Sequence, residues 1–150
     1  MKVKASIISY GAFDIYAGAV DGFESYKNPF WAFSRSSPRK IFGEGFDHIN
    51  NPDMYKAVSP LYNIPEAKVK ALPPQLLLVG SNDRLTTPKS VKDYLNALQE
   101  KGHQVSYWEY PGKGHAFLDS GNNYFLGTNF ERDAPEALDK MINFLESVFK

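Results

Sequence analysis

Residues 72–85 read LPPQLLLVGSNDRL, and the run Gln75 to Gly80 inside them decides the fold. It is apolar without alternation and too short for an ordinary helix. Two prolines bound it in front and a glycine and turn-forming polar residues behind, so it reads as a strand buried on both faces. Such strands belong to parallel sheets, whose neighbours are joined by crossovers that cover them with helices.

The chain that follows supplies one such crossover. Thr87 caps a helix, Pro88 takes its first position, Val91, Tyr94, Leu95 and Leu98 form one apolar stripe, and Gly102 ends it. Gln104 to Tyr110 sets Val105 and Tyr107 against Ser106 and Trp108, the alternation of a strand near a sheet edge. Next comes EYPGKGHAF, residues 109–117, a glycine-marked turn carrying a histidine. A last helix is expected to open at Asp133, with Glu136 completing a capping box and Leu138, Met141, Ile142, Leu145 and Phe149 as its buried stripe.

Upstream, Val3 to Ser9 is a β-branched-rich run ending at Tyr10 and Gly11, and it reads as another strand buried on both faces. Residues 10–74 between the two strands are broken by Pro29, Pro38, Pro52, Pro60 and Pro65, with short helices expected after Asn28 and Asn51. This segment carries Phe13, Tyr16, Phe23, Tyr26, Phe30, Trp31, Phe33, Phe42 and Phe46, more aromatics than a plain connection needs. They pack a local core or form a wall facing a substrate or partner.

Strand, long connection, strand, helix, strand, helix implies three parallel strands joined by right-handed crossovers. The fold class is α/β, and residues 1–150 read as a single domain with an insertion at about 12–72.

Composition narrows the function. The 150 residues are 43% hydrophobic, ample for a core, and 17 basic residues offset 17 acidic ones with both signs interspersed. No electrostatic footprint for nucleic acid or anionic membrane results. The apolar run near the N-terminus is too short for a signal segment or a membrane span. With no cysteine, disulfides and thiolate chemistry are excluded, and the compartment stays open with the cytoplasm as default.

In open α/β sheets ligands bind beyond the carboxyl ends of the strands. Asp83 follows the strand 75–80 and His115 follows the strand 104–110, separated by 115 − 83 = 32 residues, room for one loop, one helix and one strand. Adjacent parallel strands therefore deliver both to one rim. A carboxylate that accepts the Nδ1 proton fixes the imidazole tautomer and leaves Nε2 as a base, as acyl transfer requires. The alternative is a turn-capping aspartate beside Arg84 and an ordinary loop histidine.

Other polar groups carry less. Asp47, His48 and Asp53 match no zinc or EF-hand spacing, so no metal site is expected. His103 beside Gly102 reads as a solvent-exposed helix terminus, and the glycines of FGEGF and GKG serve turns.

The segments ISYGAFD (8–14), SPLYNI (59–64), LPPQLLLVGSNDRL (72–85) and YLNALQEKGHQVSYWEYPGKGHAF (94–117) occur in the order found in one family. Together, over nearly the whole chain, they resemble the C-terminal half of α/β-hydrolases of the hormone-sensitive-lipase-like esterase group. The resemblance implies the C-terminal part of an α/β-hydrolase fold, with the N-terminal half missing. It implies carboxylic-ester hydrolysis without a cofactor, Asp83 as triad acid and His115 as triad base. It also places Phe23, Phe30, Trp31 and Phe33 near the acyl or alcohol pocket. Serine peptidases of the prolyl-oligopeptidase type and dienelactone hydrolases have similar Asp and His loops; ISYGAFD and the LPP lead favour the esterase.

The sequence departs from that pattern at the nucleophile. The fold uses a G-x-S-x-G elbow and an oxyanion loop such as HGGG, and the chain contains neither. Gly18 to Gly22 reads GAVDG with Val20 in the serine position, and Ser81 lies too close to Asp83 to form an elbow. The serine is therefore expected from sequence outside this chain, which alone should be inactive or very weak and take a small ester only when completed. The other expectation is a non-catalytic, self-associating module. In both cases the Val3 to Ser9 strand is an open edge through which a homodimer, or a pairing with another chain, is expected.

Overall fold

A computed structural model describes residues 2–28, 31–32, 35–119, 121–124 and 127–150. In chain order the elements are β1 (Ser6–Ser9), α1 (Ile15–Val20), α2 (Pro52–Val58), a 3₁₀ turn (Pro60–Asn63), β2 (Gln75–Gly80), α3 (Pro88–Glu100), β3 (Val105–Tyr110), a short hairpin of β4 (Asn122–Asn123) and β5 (Thr128–Asn129), α4 (Phe130–Asp133) and α5 (Pro135–Phe149). They form two compact units, residues 1–12 with 64–150, and residues 13–63.

The first unit is built on a three-stranded parallel sheet in the order β1-β2-β3, with Ile8 opposite Leu77 and Leu78 opposite Trp108. Every residue of β2 is buried, which is why its sequence lacks alternation. Burial of each of its leucines contributes roughly 2 kcal/mol. Leu76, Leu78, Tyr110, Phe117 and Ala137 make one core cluster, with Ile7, Tyr10, Met141 and Phe144 packed on it. This is the mixed α/β architecture, with helices flanking a parallel sheet, that the sequence pattern implied.

The α3 crossover forms as its punctuation dictates. The Thr87 side chain accepts from Ser90 N, Val91, Tyr94 and Leu98 are buried, and Gly102 closes the helix in the left-handed region at φ 81°.

Three sequence expectations are corrected. The first strand is shorter than Val3 to Ser9 and half-buried throughout, with Val3 62% exposed, because among the described residues it is an edge strand paired only with β2. The last helix buries only part of the expected stripe, Met141 packing on the core and Leu145 half-buried. Ala137, Met141 and Phe144 meet the core, while Leu138, Ile142 and Phe149 are 40%, 54% and 62% exposed, since the apolar arc is wider than the sheet can cover. Asp133 does not cap that helix: Ala134 occupies the cap position without a side-chain bond, and Asp133 is a buried ion-pair partner.

The second unit has a core of its own. Tyr55 is fully buried, stacks edge-to-face with Phe42 at 5.0 Å between centroids, and donates to Glu24 at 2.8 Å. Helix α1, which the sequence reading omitted, starts at Asp14, whose carboxylate accepts from Ala17 N at 2.9 Å. The Ser59 hydroxyl serves the same helix by accepting from Ile15 N and Tyr16 N. Helix α2 begins with Pro52 as expected; the helix expected after Asn28 falls largely outside the described residues. Among the described residues, no helix is long and apolar enough to cross a membrane.

Candidate active site

Strand β2 ends at Gly80, and the chain turns at once, with Asp83 N donating to Gly80 O at 3.0 Å. The Asp83 carboxylate, with no exposed surface, is then fully engaged. Its Oδ1 accepts from Leu85 N and Thr86 N, both at 2.9 Å. Its Oδ2 accepts from the Thr86 hydroxyl and from His115 Nδ1, again both at 2.9 Å. Asp83 therefore caps its own turn and also binds His115. Capping the turn is what fixes the carboxylate for the histidine.

Burial by itself pushes the Asp83 carboxyl up, the largest single effect. The bonds from His115, Thr86 N and Leu85 N, with the positive charge His115 can carry, together outweigh it and hold the group below the ordinary carboxylate value. An ionised carboxylate only accepts, so the Nδ1 nitrogen is the donor of the shared bond. The imidazole is 28% exposed, and its Nε2 has no hydrogen-bond partner among the described residues. That leaves an oriented imidazole with Nε2 open.

The His115 loop is tied to the Asp83 loop by backbone. Ser81 N donates to Tyr110 O at 2.9 Å, Asn82 N to Lys113 O at 2.8 Å, and Gly112 N to the Ser81 hydroxyl at 2.8 Å. Ser81 thus serves the loops. Gly80 is required by close approach: a Cβ there would lie 2.6 Å from the Lys113 carbonyl carbon and 2.8 Å from Gly114 O. Lys113 is fixed a further time, its Nζ lying 2.5 Å from the buried Asp133 carboxylate. The same carboxylate accepts from Arg132 Nε at 2.6 Å and Asn129 N at 2.9 Å. The Arg132 bond first, then Lys113 and Asn129 N, hold the Asp133 carboxyl far below the ordinary value against its burial. Sequence reading missed this clamp, in which Lys113 lies 20 residues from Asp133, and missed Thr86.

Of the aromatics assigned to a pocket wall, Phe23 is 40% exposed and Trp31 is buried, packed edge-to-face at 5.5 Å in the second unit. The Trp31 indole donates to Phe23 O. Phe30 and Phe33 lie outside the described residues. His103 corrects its exposed reading: it is 7% exposed, donates from Nε2 to Pro65 O at 2.7 Å and accepts Leu72 N at Nδ1. It fastens the chain before β2 to the end of α3. Asp47 spends its carboxylate on Ile49 N and on Asn50. A cleft of about 370 Å³ lined by Pro74, Gln104, Phe144 and Val148 lies at the opposite end of the sheet and has no titratable lining group.

Residues 16–150 match the prolyl oligopeptidase family. No curated protein sequence matches the chain. Among solved structures, Pyrococcus horikoshii acylaminoacyl peptidase is similar with a TM-score of 0.64 and 16% identity, over 97% of this chain and 20% of that one. Thermogutta terrifontis esterase 2 gives a TM-score of 0.60 and 17% identity, over 98% of this chain and 43% of that one. A puromycin hydrolase gives 0.54 and 20%, over 75% of this chain and 15% of its own length. At these identities the structures speak to fold, and the chain spans less than half the length of each.

Proposed function

The chain belongs to the prolyl oligopeptidase family, within the α/β-hydrolases, and from that premise we propose that Asp83 and His115 are the acid and base of a serine hydrolase site whose nucleophile comes from sequence outside these 150 residues. The observation that carries the reading is the 2.9 Å bond from His115 Nδ1 to a carboxylate already saturated by its own turn. In this reading Nε2 takes the proton of a serine hydroxyl as it attacks an acyl carbon, and returns it to the leaving group. Asp83 holds the tautomer and stabilises the transient imidazolium. Acyl transfer of this kind needs neither metal nor cofactor.

The substrate class we assign is a carboxylic ester of the kind taken by hormone-sensitive-lipase-like esterases, on the strength of ISYGAFD and the LPP lead before β2. The family match favours a second reading, cleavage of a peptide or acylated amino-terminal amide by the same dyad. Completion is assigned to the β1 side of the sheet, by a second copy or by the chain that brings the serine. Strand β1 is an edge of the sheet among the described residues. On α5, Lys140 lies over the Trp108 ring of β3 at 3.6 Å, and Leu138 and Ile142 are exposed.

The test is to express the chain together with the sequence encoded upstream of it and follow hydrolysis of a p-nitrophenyl ester and an acylated peptide. The reading expects a G-x-S-x-G motif upstream and a loss of about 10⁴-fold in kcat for Asp83→Asn. An active protein indifferent to Asp83→Asn and His115→Ala would refute it.

A further inference from the structure

We propose that Tyr10 is a positioning residue for His115, fixing the imidazole plane so that Nε2 stays presented; the inference rests on the acid–base reading of Asp83 and His115. The bond from Nδ1 to Asp83 Oδ2 at 2.9 Å, with a longer contact to Thr86 Oγ1 at 3.4 Å, sets the tautomer but leaves the ring free to rock about the Nδ1–Oδ2 line. Something must contact the face of the ring to stop that motion.

Tyr10 makes the contact. It directly follows β1, and its ring lies against His115 with centroids 5.1 Å apart and planes tilted by 53°. The same ring meets Phe117 edge-on at 5.5 Å, and its hydroxyl accepts from Leu118 N at 3.2 Å. Tyr10 therefore touches the histidine and also secures the chain on its C-terminal side, while Tyr10 N anchors to β2 at Leu78 O, 2.7 Å away. It joins β1, β2 and the histidine loop at one residue.

Backbone conformation is the independent observation. Among the described residues the non-glycines at positive φ are Tyr10 at 43°, Arg35 at 51° and Ala116 at 60°. Two of the three flank His115, one through space and one as its chain neighbour. A non-glycine is held there only when its surroundings over-determine it, and such strain gathers at working sites. At Tyr10 the bonds at both ends of the residue supply that constraint, and the left-handed turn brings its ring to the imidazole instead of letting it continue the strand.

The experiment uses the 150-residue chain labelled with ¹⁵N-histidine, the His115 signals being assigned with His115→Ala. Exchange of the Nδ1 proton with solvent and the rate of Nε2 acylation by diethyl pyrocarbonate, located by mass spectrometry, are measured for wild type, Tyr10→Leu, Tyr10→Phe and Asp83→Asn. Acylation of His48 is the internal reference, acylation of the buried His103 reports unfolding, and urea midpoints establish that each variant is folded. Tyr10→Leu should accelerate Nδ1 exchange by about tenfold, the scale of one lost aromatic contact. Tyr10→Phe, which keeps the ring and loses the bond to Leu118, should accelerate it by roughly threefold, the scale of one neutral hydrogen bond. The acylation rate at His115 should change in both while those at His48 and His103 hold.

A folded Tyr10→Leu variant with wild-type exchange and acylation overturns the proposal. Should that variant fail to fold, unchanged exchange in Tyr10→Phe overturns it instead. The underlying acid–base reading fails separately: in that case Asp83→Asn leaves Nδ1 exchange as fast as wild type, whereas strong dependence on Asp83 with none on Tyr10 refutes only the positioning role.

Discussion

Gly80→Ala should damage both stability and the dyad, through the contact between the end of β2 and the histidine loop. The added Cβ would sit 2.6 Å from the Lys113 carbonyl carbon and 2.8 Å from Gly114 O, against an ordinary separation of about 3.5 Å. The loop must retreat by roughly 1 Å, since backbone on both sides cannot rotate away as a side chain would. That displacement breaks the 2.8 Å bond from Asn82 N to Lys113 O, worth about 1 kcal/mol, and adds overpacking strain of about 1 to 3 kcal/mol. The smaller entropy of the unfolded alanine chain offsets about 0.5 to 1 kcal/mol of this. A net loss of about 1 to 3 kcal/mol remains. Urea unfolding at pH 7 should show a lower midpoint with an unchanged m-value, and the Asp83–His115 bond should weaken in the folded state. An unchanged or raised midpoint would refute the close-approach argument, because it is what a merely flexible strand end would give.

Further outcomes follow from buried polar groups. Tyr110 is 1% exposed and its hydroxyl has no hydrogen-bond partner among the described residues, so Tyr110→Phe should raise stability by about 1 kcal/mol in urea titration. Burial first, and Glu136 second, push the Tyr110 phenol up to about 12. A raised folded pKa means stability present below the ordinary tyrosine value of about 10 and lost as pH climbs from 10 to 12, so Tyr110→Phe should flatten the alkaline unfolding curve in that window. Asp83 and Asp133 have depressed folded pKa values, and their contribution is present above the ordinary carboxylate value of about 3.9 and lost as pH falls below it. Asp133→Ala should cost about 1 to 3 kcal/mol at pH 7, by leaving Asn129 N unpaired and removing the bonds from Lys113 and Arg132, and should make acid unfolding less steep by circular dichroism. His103→Phe should lower the urea midpoint by about 1 to 3 kcal/mol, since it leaves Pro65 O and Leu72 N unpaired.

The elements legible in the sequence were those whose signal is local. Strand β2 announces itself as a uniform apolar run between prolines and a turn, and α3 as a cap, a proline, a stripe and a closing glycine. Asp83 and His115 were findable because parallel topology places the loops after successive strands side by side. What stayed hidden depends on contacts distant in sequence. The partners of His103 at Pro65 and Leu72, and of Asp133 at Lys113, leave no periodic trace. The phase of α5 was ambiguous because Leu138, Ile142 and Phe149 extend an apolar arc whose other half, at Ala137, Met141 and Phe144, meets the core. The role of Tyr10 rests on a positive φ and a ring contact that composition cannot reveal.

The central claim is that His115 is held by Asp83 with its proton on Nδ1 and Nε2 free. The most direct measurement is the ¹⁵N and two-bond proton–nitrogen NMR spectrum of the His115 ring at a pH where the imidazole is neutral, for wild type and Asp83→Asn. The account predicts a protonated Nδ1 and an unprotonated Nε2 in the wild type, with that preference lost once the carboxylate at 2.9 Å is replaced. An Nε2-protonated ring in the wild type, or a tautomer unaffected by Asp83→Asn, would contradict it.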